Sequence, residues 1–161
     1  MSVLSALKSL PVARNICRED EVPEHAKDYR RDRITLGWED RLKARGRRTS
    51  DRGFQFGTAL PRGTLLRAGD CFVFDDPGAV VVVVEREEPV FVITPRSPAE
   101  WGLFAYHIGN NHQPMMLVDE SIVCPEVPGI EELLTLHGIA FTRSMRAFTP
   151  LTQAMDHGHL Q

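Results

Sequence analysis

The sequence predicts an α+β chain in which a small all-β module precedes a domain of β-α-β-β-α-β order. Three observations lead there. Between residues 33 and 86, short apolar runs are broken by turns rich in Gly, Pro and Asp, the signature of short strands. Beyond residue 97, two stretches carry apolar residues at helical spacing instead. The chain has 161 residues, 42% hydrophobic and 25% charged, enough to bury cores without help from disulfides. The boundaries expected are a β domain over 1–86, a second domain over 87–150, and a histidine-containing tail over 151–161.

The elements follow in order. Pro11 and Pro23 interrupt the first 29 residues, which read as a short helix over Val3–Ser9 and then an irregular lead-in. Ile34, Leu36 and Trp38 alternate with Thr35 and Gly37, as in a half-buried strand. Residues 47–56 read as a hairpin whose turn, Asp51-Arg52-Gly53, uses Gly53 for a positive φ. Cys71–Phe74 and Val80–Val84 are strands around a turn at Asp75–Gly78, and the valine run predicts burial on both faces. Glu85-Arg86-Glu87-Glu88 flank that run as charged guards against aggregation.

The second half opens with a strand over Pro89–Thr94. Ser97 then caps a helix with Pro98 in its first turn and Glu100 closing a capping box. Trp101, Phe104, Ala105 and Ile108 form its apolar stripe. Gly109, Asn110 and Asn111 are expected to end it, since they tolerate a left-handed cap. Strands at Met115–Val118 and Ile122–Cys124, a helix over Glu131–His137 and a strand within Ile139–Met145 complete a ferredoxin-like βαββαβ order.

Several function classes are set aside by composition. The longest apolar run, Ala79–Val84, is far short of the roughly 20 residues of a membrane-spanning helix, and no membrane association is expected. The first residues lack a secretory pattern. Cys17, Cys71 and Cys124 are odd in number, far apart and outside any CxxC, which predicts reduced thiols and a cytoplasmic protein. Residues 27–52 carry ten Lys/Arg against five Asp/Glu, whereas residues 53–161 carry six against thirteen. Without interleaved aromatics, the basic segment reads as a solvated charged surface, so nucleic acid is not an expected partner. There is no P-loop, GxGxxG, HExxH or GxSxG, and no enzymatic activity is expected.

Six histidines remain as candidate ligands. His137 falls in the last turn of a helix, where a histidine favours the dipole, and reads as structural. His107 reads as a packed or capping residue, and His25 stands alone. His112 follows the helix end in Gly109-Asn110-Asn111-His112-Gln113-Pro114, a connection that holds its side chain in one direction. One imidazole does not make a metal site, but a two-fold axis beside this helix would bring two copies together. His157 and His159 lie two apart in the tail, next to Asp156, and read either as a chelating pair or as a chain end without a role. Cys124 is either a soft ligand or a buried small hydrophobe.

The stretch Ala105-Tyr106-His107-Ile108-Gly109-Asn110-Asn111-His112-Gln113-Pro114 resembles the signature A-Y-H-L-G-N-R-H-x-P of the urease accessory protein UreE family. Residues 33–45, residues 56–66, Gly69-Asp70 and Pro95–Pro98 extend the likeness, in the family's order, over roughly residues 30–150. The resemblance implies an N-terminal β domain related to peptide-binding modules of chaperones, and a ferredoxin-like domain that forms a homodimer. It implies a metallochaperone delivering Ni2+ to the urease apoprotein with other urease accessory proteins, a GTPase among them. Zn2+ and Cu2+ are expected to bind too. By resemblance His112 binds nickel at the dimer interface, and His157 and His159 of the tail add ligands. Asn111 stands where the family carries Arg, and Cys124–Pro128 where some relatives carry histidines, which predicts one or two ions per dimer. An alternative is a docking module of the urease assembly complex in which metal binding is incidental. RNA binding is a third reading, disfavoured by strands without surface aromatics.

Overall fold

Alternation of apolar and polar residues, punctuated by turns, builds the first half of the chain from short strands. The computed structural model describes residues 10–151, so the helix expected over Val3–Ser9 and the tail histidines His157 and His159 lie outside the described residues. The chain divides into two compact units, with the boundary between Glu85 and Arg86. No helix among the described residues is long and apolar enough to cross a membrane.

In the first unit, β1 (Val12–Ala13) runs parallel to β5 (Gln55–Ala59), which pairs with β4 (Arg45–Thr49) to form a three-stranded sheet. A second sheet has the order β2 (Cys17–Arg18), β6 (Asp70–Phe74), β7 (Ala79–Glu85), β3 (Arg30–Leu36). The valine strand β7 lies inside this sheet, between β6 and β3, which explains its long apolar run. Phe56 of β5 packs 5.3 Å from Phe72 and 5.1 Å from Phe74 of β6, ring centre to ring centre. Ile34, Leu36, Leu60, Leu66, Val81 and Val83 complete this core.

Two expectations for this unit need correcting. The alternation in β3 stops at Leu36, and Trp38 does not extend it. Gly37 instead starts a single helical turn, α1 (Trp38–Arg41), closed by the Arg41 N–H donating to the Gly37 carbonyl at 3.1 Å. Glu39 and Asp40 in its first turn suit the helix dipole, a local preference that outweighs the strand pattern. Nor is the basic segment solvated throughout. Arg41 is fully buried, donates to the Leu66 carbonyl at 3.2 Å and lies 3.4 Å from the Glu85 carboxylate. Arg48, also buried, donates to the carbonyls of Asp40 (3.1 Å) and Lys43 (2.5 Å), and burial pulls its guanidinium below the usual range. These two arginines satisfy backbone carbonyls around α1, so they are structural cations rather than phosphate contacts.

The second unit contains β8 (Glu87–Ile93), α2 (Pro98–Asn110), β9 (Met116–Val118), β10 (Ser121–Pro125), α3 (Ile130–Leu136) and β11 (Thr142–Ala147). Its sheet is antiparallel with the order β11-β8-β10-β9, the ferredoxin-like arrangement predicted by the element order. Ile93 lies opposite Ile122 and Phe91 opposite Cys124. These four residues share one core with Ile108 of α2 and Ile130, Leu133 and Leu134 of α3. Trp101, Phe104 and Ala105 pack against that core, as the stripe on α2 requires.

Candidate metal site

The helix α2 ends two residues before His112, and its start has the expected N-cap but not the expected capping box. Ser97 Oγ accepts from the Glu100 N–H at 3.2 Å, with Pro98 in the first turn. The Glu100 carboxylate accepts from the Arg96 N–H at 2.7 Å, one residue before the cap, rather than from Ser97 itself.

The C-terminal end differs from expectation in which residue turns left-handed. Asn111 keeps φ at −92°, and His112 takes φ +54°. The Gln113 N–H donates to the Ile108 carbonyl at 3.1 Å and the His112 N–H to the Gly109 carbonyl at 2.9 Å. That pair of bonds is the Schellman closure, and His112 occupies the position normally given to glycine. Asn111 acts through its side chain instead, with Nδ2 donating to the His107 carbonyl at 2.8 Å. The carbonyls of His107, Ile108 and Gly109 are therefore satisfied, and His112 projects from a fixed backbone, with its side chain exposed. Left-handed backbone costs a non-glycine residue about 1–2 kcal/mol. The cap holds that conformation, so the side chain leaves the helix end in a fixed direction.

Other candidates are placed as follows. Among the described residues no three His, Cys, Asp or Glu side chains come together as a metal site, so His112 of one chain lacks partners for a closed shell there. His107 and His137, read separately from the sequence as structural, stack on each other with ring centres 3.7 Å apart and planes 18° apart. Near-parallel rings aim their nitrogen lone pairs side by side, so this pair packs rather than chelates. Nothing in the sequence signals it, because it depends on how α2 and α3 meet. Exposed Leu103 and Tyr106 stand one turn apart on the outer side of α2, away from the core stripe.

Cys124 is fully buried in β10, and burial pushes its thiol up to about 12. Its side chain is packed into the core with Phe91, Ile93 and Ile122, so Cys124 fills the place of a small hydrophobe. Burial disfavours the reactive thiolate and keeps reagents from the sulfur. Iodoacetamide is therefore expected to leave Cys124 unmodified in the native state and to label it fully in denaturant, as read by peptide mass. Native labelling at the unfolded rate would contradict the burial of β10.

Residues 12–85 match the family described as UreE urease accessory protein, N-terminal domain, and residues 88–161 match its C-terminal domain. The chain is 34% identical over 126 residues to the urease accessory protein UreE of Burkholderia vietnamiensis (strain G4), covering 78% of this chain and 62% of that one. It is 33% identical over 127 residues to the corresponding protein of Ralstonia nicotianae, covering 79% and 60%. For Burkholderia mallei (strain SAVP1) the identity is 34% over 126 residues, covering 78% and 62%. The matched part thus spans about three-fifths of the length of these curated relatives.

Proposed function

The chain belongs to the UreE family of urease accessory proteins, and from that premise we propose that it is a homodimeric nickel metallochaperone acting in urease assembly. His112 of both subunits forms the core of the site, with His157 and His159 of the tail as accessory ligands. The observation that carries this reading is His112 held exposed at the left-handed position of a fully closed helix cap. A ligand on such a backbone is pre-oriented, so binding costs little ordering entropy. Leu103 and Tyr106 on the same helix leave apolar surface for a second copy. Two-fold pairing there would supply the donors that one chain lacks.

The unit ending at Glu85 docks partners, and the unit that follows holds the metal and dimerises. The ion is cargo, passed by ligand exchange to the urease apoprotein within an assembly of accessory proteins that includes a GTPase. Copper binds nitrogen-rich sites more tightly than nickel, so selection rests on supply and docking rather than intrinsic affinity; zinc and copper then bind in vitro. Action in the cytoplasm fits the three free cysteines. A docking module with incidental metal binding is the second reading. It draws on the cavity of about 730 Å³ in the first unit, lined by charged residues including Arg31, Arg33, Asp51 and Arg52.

Calorimetric titration of nickel into wild type and His112→Ala, with mass from light scattering, decides between them. The chaperone reading expects a dimer binding about one ion per two chains, and loss of that binding in the variant. Equal binding by both proteins would make His112 structural and favour the docking module. The sign of the pH dependence is also set: protons compete with the metal for imidazole nitrogens, so nickel affinity falls on acidification. Titrations at several pH values check this, and a flat profile would count against histidine ligation.

A further inference from the structure

The first unit brings together two cysteines that the sequence keeps far apart. Cys17 of β2 and Cys71 of β6 are direct partners in an antiparallel ladder. Directly opposite residues of such a pair put their side chains on the same face. Further along the same register, the Glu19 N–H donates to the Gly69 carbonyl at 3.1 Å. The phase of the ladder therefore makes Cys17–Cys71 a hydrogen-bonded pair, with Cα atoms about 5.5 Å apart. Disulfides span Cα separations of about 4.4–6.8 Å, which this pair meets. They take Cβ atoms about 3.5–4.5 Å apart, closer than the roughly 5.5 Å of a hydrogen-bonded pair, so β2 must close on β6 by about 1 Å. Both residues belong to one small cluster with Val22, Ala26 and Val80. A cavity of about 340 Å³, lined by both cysteines together with Ile16, Pro23 and Val73, opens beside them. Cys17 is half-exposed and Cys71 is buried, so a small reagent meets Cys17 first. Strand β2 is only two residues long and lies at the sheet edge, held to β6 by the Arg18–Asp70 pair at 2.7 Å and the Glu19 N–H, so closing the bond displaces two residues and no inner strand.

We propose that Cys17 and Cys71 form a reversible dithiol–disulfide pair, oxidised by a small hydroperoxide. The Cys17 thiolate attacks one peroxide oxygen, the O–O bond breaks, and the other oxygen leaves as water or an alcohol after taking a proton. Cys71 Sγ then attacks the sulfur of the resulting sulfenic acid and displaces hydroxide, which takes the Cys71 proton and leaves as water. The two sulfurs lose two electrons and the peroxide bond gains them. A dithiol reductant reverses the bond by exchange. Oxidation ties the edge strand β2 and the lead-in before it to the central sheet. The reaction is slow near neutral pH: burial raises both thiols, Cys71 to about 11, with the neighbouring Cys17 adding to the rise.

The full chain, as wild type, Cys124→Ser and Cys17→Ser, is treated with excess hydrogen peroxide, blocked with an alkylating reagent and weighed intact. Wild type and Cys124→Ser are expected to lose about 2 Da, to yield one cross-linked peptide joining the Cys17 and Cys71 segments, and to revert with dithiothreitol. Cys17→Ser leaves the buried Cys71 in place, so it folds and shows no such loss. Sulfinic acid at Cys17 without a 2 Da loss, a bridge that includes Cys124, or a cross-link between chains would each overturn the proposal.

Discussion

Replacing His112 with glycine is expected to abolish nickel binding while making the protein slightly more stable. The two effects have separate causes. Removing a residue that only orients a ligand costs about 10–100-fold in metal affinity, so loss of the ligand itself costs at least about 100-fold. Glycine, in contrast, adopts φ +54° without the strain that histidine carries there, and keeps both backbone bonds of the cap. Relief of about 1 kcal/mol is expected, reduced in part by the greater freedom of glycine in the unfolded chain. His112→Ala loses the ligand without that relief, because alanine bears the same left-handed cost. Nickel calorimetry and thermal unfolding of the two variants separate the terms. Wild-type affinity in the glycine variant would remove His112 from the site. A glycine variant less stable than the alanine variant would contradict the left-handed backbone.

Why the sequence points to His112 but not to its backbone conformation is a matter of range. Caps, stripes and turns are local, so Ser97, Pro98, the Trp101–Ile108 stripe and the strands β6, β7 and β8 are legible from spacing alone. The cap position is ambiguous in sequence because Asn110, Asn111 and His112 all tolerate positive φ better than most residues. The hydrogen bonds from His112 and Gln113 settle the choice. Arg41 and Arg48 read as solvated in the sequence, because their carbonyl partners become visible only once α1 has formed. The stacking of His107 on His137 and the register of Cys17 with Cys71 are tertiary facts with no local signal. The legible part of the candidate site is therefore the one residue placed by local rules, and its remaining ligands need a second copy or the tail.

The largest stability loss is expected at Phe56. Its side chain is fully buried, with ring centres of Phe54, Phe72 and Phe74 at 5.7, 5.3 and 5.1 Å. Truncation to alanine removes the transfer energy of a whole ring and leaves a cavity between rigid strands, costing about 3–5 kcal/mol. Against a domain stability of about 5–15 kcal/mol, that brings the first unit close to unfolding. Phe56→Leu keeps most of the volume and should cost much less. The chain has two tryptophans, and Trp38 lies in the first unit while Trp101 lies in the second. Urea titration of Phe56→Ala in a Trp101→Phe background therefore reports the first unit alone, and its midpoint should fall sharply. The second unit has its own core, around Phe91, Ile108 and Leu134, to which Phe56 contributes nothing. Nickel binding by Phe56→Ala should accordingly persist while docking to the assembly partners is lost. Loss of both together would mean that the metal site depends on the first unit.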